Sequence, residues 1–111
     1  TIRKGKLAEF KQQVAEIIRL TQEKDTKTLR YDCFINNDQT ECEIREAYVS
    51  SEGWMEHREH AGEALGKLFG EFADGHAVAV YGDPSPQLRE MGEAMMPGRI
   101  KWYSFFQGLA A

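Results

Sequence analysis

The spacing of hydrophobic residues changes from a helical period to a strand period early in this chain, and that change most restricts its possible folds. Between residues 7 and 20, apolar side chains recur every three or four positions, which predicts an amphipathic helix. From Leu29 to Ile35 they recur at every second position, which predicts a half-buried strand. The helical positions are Leu7, Phe10, Val14, Ile17 and Ile18.

A hairpin is predicted after the first of these strands. Residues Asn36 to Gln39 have the polar composition typical of a turn, because Asn and Asp tolerate left-handed backbone. Glu41 to Val49 then alternate again as a second strand, and Ser50 or Ser51 can cap a second helix that runs to about Phe72. The predicted buried stripe of that helix consists of Trp54, His57, Ala61, Leu65, Leu68 and Phe72.

The last third of the chain predicts a third strand, a short helix and a final strand. The third strand is expected from His76 to Tyr81. Ser85 followed by proline is typical of a helix start, so a short helix is expected from Pro86 to about Met95. Ile100 to Phe106 reads as an aromatic-rich strand, and Thr1 to Arg3 as the end of a first strand that is truncated or upstream of Thr1. The order predicts an α+β antiparallel sheet with helices on one face.

Length and charge exclude several classes of protein. A chain of 111 residues fits a single domain. Fourteen basic against eighteen acidic residues give a net charge of −4 without a basic block, so nucleic-acid binding is not expected. Apolar runs such as Ala77 to Tyr81 are too short to cross a membrane, which needs about 20 residues. We therefore expect a cytoplasmic protein.

Metal and cofactor motifs are absent from the sequence. There is no glycine-rich nucleotide loop, no HExxH helix and no Cys/His zinc spacing, so we expect no metal and no cofactor. Cys33 and Cys42 are interpreted as two thiols on neighbouring strands, with a cross-strand disulfide as the alternative.

Two inward-facing polar residues are the candidates for catalysis. His57 lies on the apolar stripe of the second helix, where it is either a buried histidine with one hydrogen bond, a general base, or a metal or haem ligand. Glu46 shares one strand face with Ile44 and Tyr48, and a carboxylate there needs a partner. It either pairs with an arginine or a donor on a helix, or it orients His57 or a substrate hydroxyl.

Core or dimer-interface packing is the first explanation for the aromatic side chains, and an aromatic-lined pocket for a planar ligand is the alternative. His60 is expected to face solvent, and His76 carries no predicted role. The candidates for substrate binding are Tyr31, Tyr48, Trp54, Tyr103 and Phe105.

Several short segments together resemble the antibiotic-biosynthesis-monooxygenase family. They are Lys4-Gly5-Lys6 before the first helix, Leu29-Arg30-Tyr31-Asp32, Glu46-Ala47-Tyr48, Ser51-Glu52 and His57. The segment from Val80 through Pro86 to Gly108 is similar to a C-terminal extension in some members of the family.

The resemblance implies a ferredoxin-like β-α-β-β-α-β fold that pairs into a dimeric α/β barrel, with a small-ligand pocket in each subunit. It further implies a cofactor-independent monooxygenase that abstracts a proton from a planar aromatic or quinol-type substrate, which then reacts with dioxygen. The first alternative is a non-catalytic dimeric ligand-binding or stress-response domain. The second is a haem-binding or haem-degrading member, which the family pattern disfavours because the spacing of Trp54 and His57 does not match well.

Overall fold

The computed structural model describes residues 1–110, which form two compact units. The first unit is Thr1–His76 and the second begins at Ala77. The single domain expected from the chain length stays a prediction.

Two helices and a hairpin make up the first unit. Its helices are α1, Leu7–Lys24, and α2, Ser51–Lys67, and a π-helical turn, Leu68–Phe72, follows α2 directly. Its strands are β1, Thr28–Ile35, and β2, Cys42–Tyr48. Both predicted helices and both predicted strands are confirmed within a few residues. The widened last turn was not predicted, because a hydrophobic stripe does not distinguish a π turn from an α turn.

The core of the first unit lies between the two helices and one face of the hairpin. Ile17 and Leu68 are 1% and 0% exposed, and burying such a side chain stabilises the fold by about 1.5–3 kcal/mol. Tyr31 on β1 and Cys42 on β2 pack against this core, so the strand face that carries them faces the helices. The buried core residues are Ile2, Phe10, Ile17, Ala61, Leu65, Leu68, Phe72 and Ala73.

β1 and β2 pair antiparallel with an irregularity between Thr28 and Arg30. Tyr31 lies opposite Glu46 in this register. The predicted turn between the strands is confirmed, because Gln39 adopts a positive φ of 58°. The expected first strand is reduced to an isolated antiparallel bridge between Ile2 and Ala73.

A glycine allows the start of α2 to approach the base of the hairpin closely. A Cβ atom on Gly53 would lie 2.9 Å from the backbone oxygen of Lys27 and 3.0 Å from Cβ of Tyr48. The Lys27 oxygen cannot easily move away, because it accepts a hydrogen bond of 3.0 Å from the backbone N–H of Val49. Only glycine fits this contact without a shift of the helix.

The second unit is a strand, a helix and a strand: β3, Val78–Tyr81, α3, Pro86–Met95, and β4, Ile100–Tyr103. The predicted cap is present, since Ser85 Oγ accepts a hydrogen bond of 3.2 Å from Leu88 N. The final strand ends at Tyr103, short of the expected Phe106.

The prediction of one antiparallel sheet is wrong for the last two strands. β3 and β4 pair parallel in a sheet of their own, and β1 and β2 form the other sheet among the described residues. The connection through α3 explains the direction, because a helical crossover returns the chain to run parallel to its start.

Two further expectations have a structural outcome. Both cysteines are free thiols, and burial raises the pKa of Cys33 to about 12, which disfavours its reactive thiolate form. Of the helices in residues 1–110, none is long and apolar enough to cross a bilayer.

Candidate functional site

A buried carboxylate at the end of α1 is the centre of the candidate site. Asp25 is the residue at which α1 ends, and its side chain is only 1% exposed. Oδ2 accepts hydrogen bonds from Thr28 Oγ1 at 2.7 Å and from His57 Nδ1 at 2.8 Å, while Oδ1 accepts one from His60 Nδ1 at 2.7 Å. Three donors on three separate side chains therefore converge on one carboxylate.

These donors determine the charge of Asp25. Burial raises the pKa of Asp25, but the hydrogen bonds from His60, Thr28 and His57 outweigh it and hold the pKa below its ordinary value. The group is therefore ionised at neutral pH. An ionised carboxylate can only accept hydrogen bonds, so each imidazole donates to it from a protonated Nδ1.

His57 is fully buried at the centre of the site. It is 1% exposed, and its Nδ1 lies 3.4 Å from Thr21 Oγ1 in addition to its contact with Asp25. Nε2 is buried and has no hydrogen-bond partner in the part of the chain that the structure describes. With the Nδ1 proton held by Asp25, a neutral His57 carries its free lone pair on Nε2, which can accept a proton.

Tyr31 and Tyr48 flank the His57 ring. The ring centroids of Tyr31 and Tyr48 lie 4.9 Å and 5.9 Å from that of His57. The Tyr31 hydroxyl is buried and, like Nε2 of His57, has no partner among residues 1–110. Burial, followed by the charge of Glu46, raises the pKa of both phenols, so both stay protonated and can donate a hydrogen bond.

Glu46 hydrogen-bonds Tyr48 instead of His57. Its carboxylate accepts from the Tyr48 hydroxyl, and the residue keeps contact with solvent. The surrounding protein nevertheless desolvates the carboxylate and raises its pKa, with the Tyr48 hydrogen bond and the charges of His57 and Arg58 acting in the opposite direction. Glu46 thus has the partner that its inward position required, but the residue that orients His57 is Asp25.

A shallow cleft opens beside Asp25. Its volume of about 310 Å³ lies at the lower end of the range for small-molecule sites. Thr21, Asp25 and Tyr31 contribute to its wall, so it reaches the groups that surround His57. The full lining is Ile18, Thr21, Gln22, Asp25, Thr28, Leu29, Arg30 and Tyr31.

Asp25, Glu56 and His60 offer ligand atoms that all lie within 4.8 Å of one another, which is a spacing compatible with a cation. Both oxygens of Asp25 already accept from imidazoles, and Glu56 accepts from the N–H and hydroxyl of Thr26 at 2.7 and 2.8 Å. These groups satisfy one another as a hydrogen-bond network, and we identify none of them as a metal ligand.

The other predicted site residues have different positions. Trp54 is half-buried on α2. Tyr103 and Phe105 belong to the second unit, where Tyr103 stacks on Tyr81 at a centroid distance of 5.4 Å and Phe105 is 59% exposed. The structure therefore brings together Tyr31, Tyr48 and Glu46 around His57 within the first unit.

Sequence patterns missed Asp25 and its hydrogen bond with His60. Asp25 lies in a connection, where neither a helical nor a strand period applies. Its position at the end of α1 was nevertheless a usable signal, since a negative charge is unfavourable at a helix C-terminus and needs compensating donors there. His60 was expected to face solvent; its side chain keeps 26% exposure and also donates to Asp25.

The fold defines a small α+β protein that is compatible with a ferredoxin-like arrangement. Comparison with solved structures finds the crystal structure of MupZ from Pseudomonas fluorescens, with a TM-score of 0.78 and 22% sequence identity over 99% of this chain and 87% of that one. No protein-family model matches the chain, and no curated protein matches its sequence. The likeness shows the fold alone, and membership of the monooxygenase family stays a prediction.

Proposed function

We propose that this protein is a small-molecule enzyme in which His57 acts as a general base oriented by Asp25. The observation that carries the proposal is the pair of buried polar atoms without partners, His57 Nε2 and Tyr31 Oη. Buried polar groups are nearly always hydrogen-bonded, so two such atoms on neighbouring rings favour an internal place for a bound polar molecule.

The chemistry that suits this arrangement is proton abstraction from a weakly acidic carbon or hydroxyl group. The substrate proton moves to Nε2, and the imidazolium that forms is stabilised by the Asp25 carboxylate on Nδ1. The substrate retains the electron pair of the broken bond as an enolate or phenolate. The protonated Tyr31 hydroxyl is available to donate a hydrogen bond to that oxyanion.

The reaction that we propose to follow is cofactor-independent oxygenation, as the family resemblance implies. The carbanion transfers its electrons to dioxygen and forms a carbon–oxygen bond, and the resulting peroxide takes up the proton from His57. Loss of water then leaves a carbonyl group, so that a methylene and dioxygen give a ketone and water. A planar aromatic or quinol-type substrate is proposed because the rings of Tyr31 and Tyr48 flank His57.

We further propose a homodimeric, barrel-forming, cytoplasmic protein. Exposed apolar side chains at and beside the hairpin support association, since Leu29, Phe34 and Val49 are 70%, 57% and 64% exposed. Light scattering at micromolar concentration gives twice the chain mass if the proposal holds and the monomer mass if it does not.

The proposed activity is tested by oxygen consumption with an anthrone or a dihydroxynaphthalene as the probe substrate. His57→Gln removes the base while keeping a polar side chain of similar length, and we expect it to lower the rate by about 100-fold or more. Asp25→Asn is expected to lower the rate as well, because a neutral amide does not stabilise the imidazolium.

His76→Gln is the matched control, since His76 stacks on Phe69 and its replacement should leave the rate unchanged. Ligand binding without oxygen consumption in the unmodified protein would refute catalysis and favour a binding domain. The remaining alternative from the sequence, a haem protein, predicts a Soret band when haem is added.

A further inference from the structure

One carboxylate binds both a buried and a solvent-accessible imidazole. Asp25 accepts from His57, which is 1% exposed, through Oδ2, and from His60, which is 26% exposed, through Oδ1. The mechanism proposed above uses only His57. His60 therefore connects the buried base to solvent through a single shared anion.

We infer that His60 is a positioning residue that acts through Asp25 and sets the pH range in which His57 serves as a base. This inference rests on the proposed function. When His60 is neutral, the full negative charge of Asp25 stabilises a protonated His57. When His60 carries a proton, its positive charge lies 2.7 Å from Asp25 Oδ1 and competes for the same carboxylate.

The sign of the effect follows from this competition. A protonated His60 partly neutralises Asp25 and repels a second positive charge on His57, so it lowers the pH at which His57 becomes protonated. His57 consequently remains a free base at lower pH than it would beside an unshared Asp25.

Other charged groups surround His57 and His60, and they are the same in every His60 variant. Glu56 is close to His60 and Asp25, while the charges of Glu46 and Arg58 act on one another near His57. The groups that face the network from the packed elements are Thr21 and Asp25 at α1, Thr28 and Tyr31 on β1, Glu46 and Tyr48 on β2, and Glu56 and Arg58 on α2.

Two substitutions at one position separate the charge of His60 from its hydrogen bond. His60→Asn keeps a neutral N–H donor near the place of Nδ1, and His60→Lys supplies a permanent positive charge. In NMR titrations of the imidazole nitrogens, we expect the midpoint of His57 to rise by about 1 pH unit in His60→Asn. In His60→Lys we expect it to stay at or below the value of the unmodified protein, with His76 as the internal reference.

The corresponding activity profile should shift in the same direction. The acid limb of the rate with the probe substrate is expected to begin about 1 pH unit higher in His60→Asn. Equal His57 midpoints in both variants and the unmodified protein would overturn the inference. The NMR titration needs no substrate, so it gives this answer even if the protein proves to be inactive, and His60→Gln replaces His60→Asn if the latter does not fold.

Discussion

Two carboxylates lie near His57 in the first unit, and their surroundings have opposite effects on them. The side chain of Asp25 is 1% exposed, and its pKa is lowered because side chains from three positions donate to it. Glu46 keeps contact with solvent, yet its pKa is raised, because the donation from Tyr48 does not offset desolvation. The balance between donated hydrogen bonds and desolvation therefore sets the direction of the pKa shift at each carboxylate.

The largest expected difference between the surroundings of Asp25 and those of Glu46 is in their contribution to the free energy of unfolding. Asp25→Ala leaves His57 Nδ1 and the Thr28 hydroxyl without their acceptor, so we expect the free energy of unfolding at pH 7 to fall by about 3 kcal/mol. Glu46→Ala is the matched change and should cost less than about 1 kcal/mol. Chemical denaturation followed by circular dichroism measures both, and equal losses would show that the two regions do not differ.

A smaller effect is expected from a single donor to Asp25. Thr28→Val removes the hydroxyl that donates to Oδ2 with almost no change of shape, and we expect the unfolding free energy to fall by about 1 kcal/mol. Thr26→Val is the control, because the Thr26 hydroxyl donates to the carboxylate of Glu56 in a solvent-exposed hydrogen bond. Its expected cost is under about 0.5 kcal/mol. The same loss in both variants would argue against a special role for the donors around Asp25.

The smallest expected effect is on the pH dependence of the free energy of unfolding, and it has opposite signs at the two carboxylates. The folded pKa of Asp25 lies below its unfolded value, so its stabilisation is present above about pH 4 and is lost as the pH falls. The folded pKa of Glu46 lies above its unfolded value, so its contribution is present at low pH and is lost as the pH rises through the folded pKa.

Glu46→Gln should therefore raise the unfolding free energy at pH 7 by roughly a few tenths of a kcal/mol, with a smaller gain at pH 4. Asp25→Asn should lower it at pH 7 and make the acid limb of the stability profile shallower. Urea denaturation between pH 3 and pH 8 gives the difference in unfolding free energy between each variant and the unmodified protein. If this difference changes with pH in the same direction for both variants, the assignment of opposite pKa shifts is contradicted.

The sequence predicted the elements of the first unit because each has a clear hydrophobic period. It also predicted an inward His57, since that residue falls on the buried stripe of α2. Periodicity carries no information about a side chain in a connection, and Asp25 was missed for that reason. The hydrophobic pattern also could not predict the direction of β4, because alternation shows which residues share a face but not which strand is the neighbour.

The glycine at the start of α2 has a consequence for any search for the residues that matter in this protein. Gly53 precedes His57 by one helical turn, and a methyl group there would press against Lys27 and Tyr48. The distance between His57 Nδ1 and the Asp25 carboxylate thus depends on a residue that has no side chain and no chemistry of its own. A mutational survey restricted to polar and aromatic positions would miss it, whereas one alanine at Gly53 would alter the alignment of the whole network.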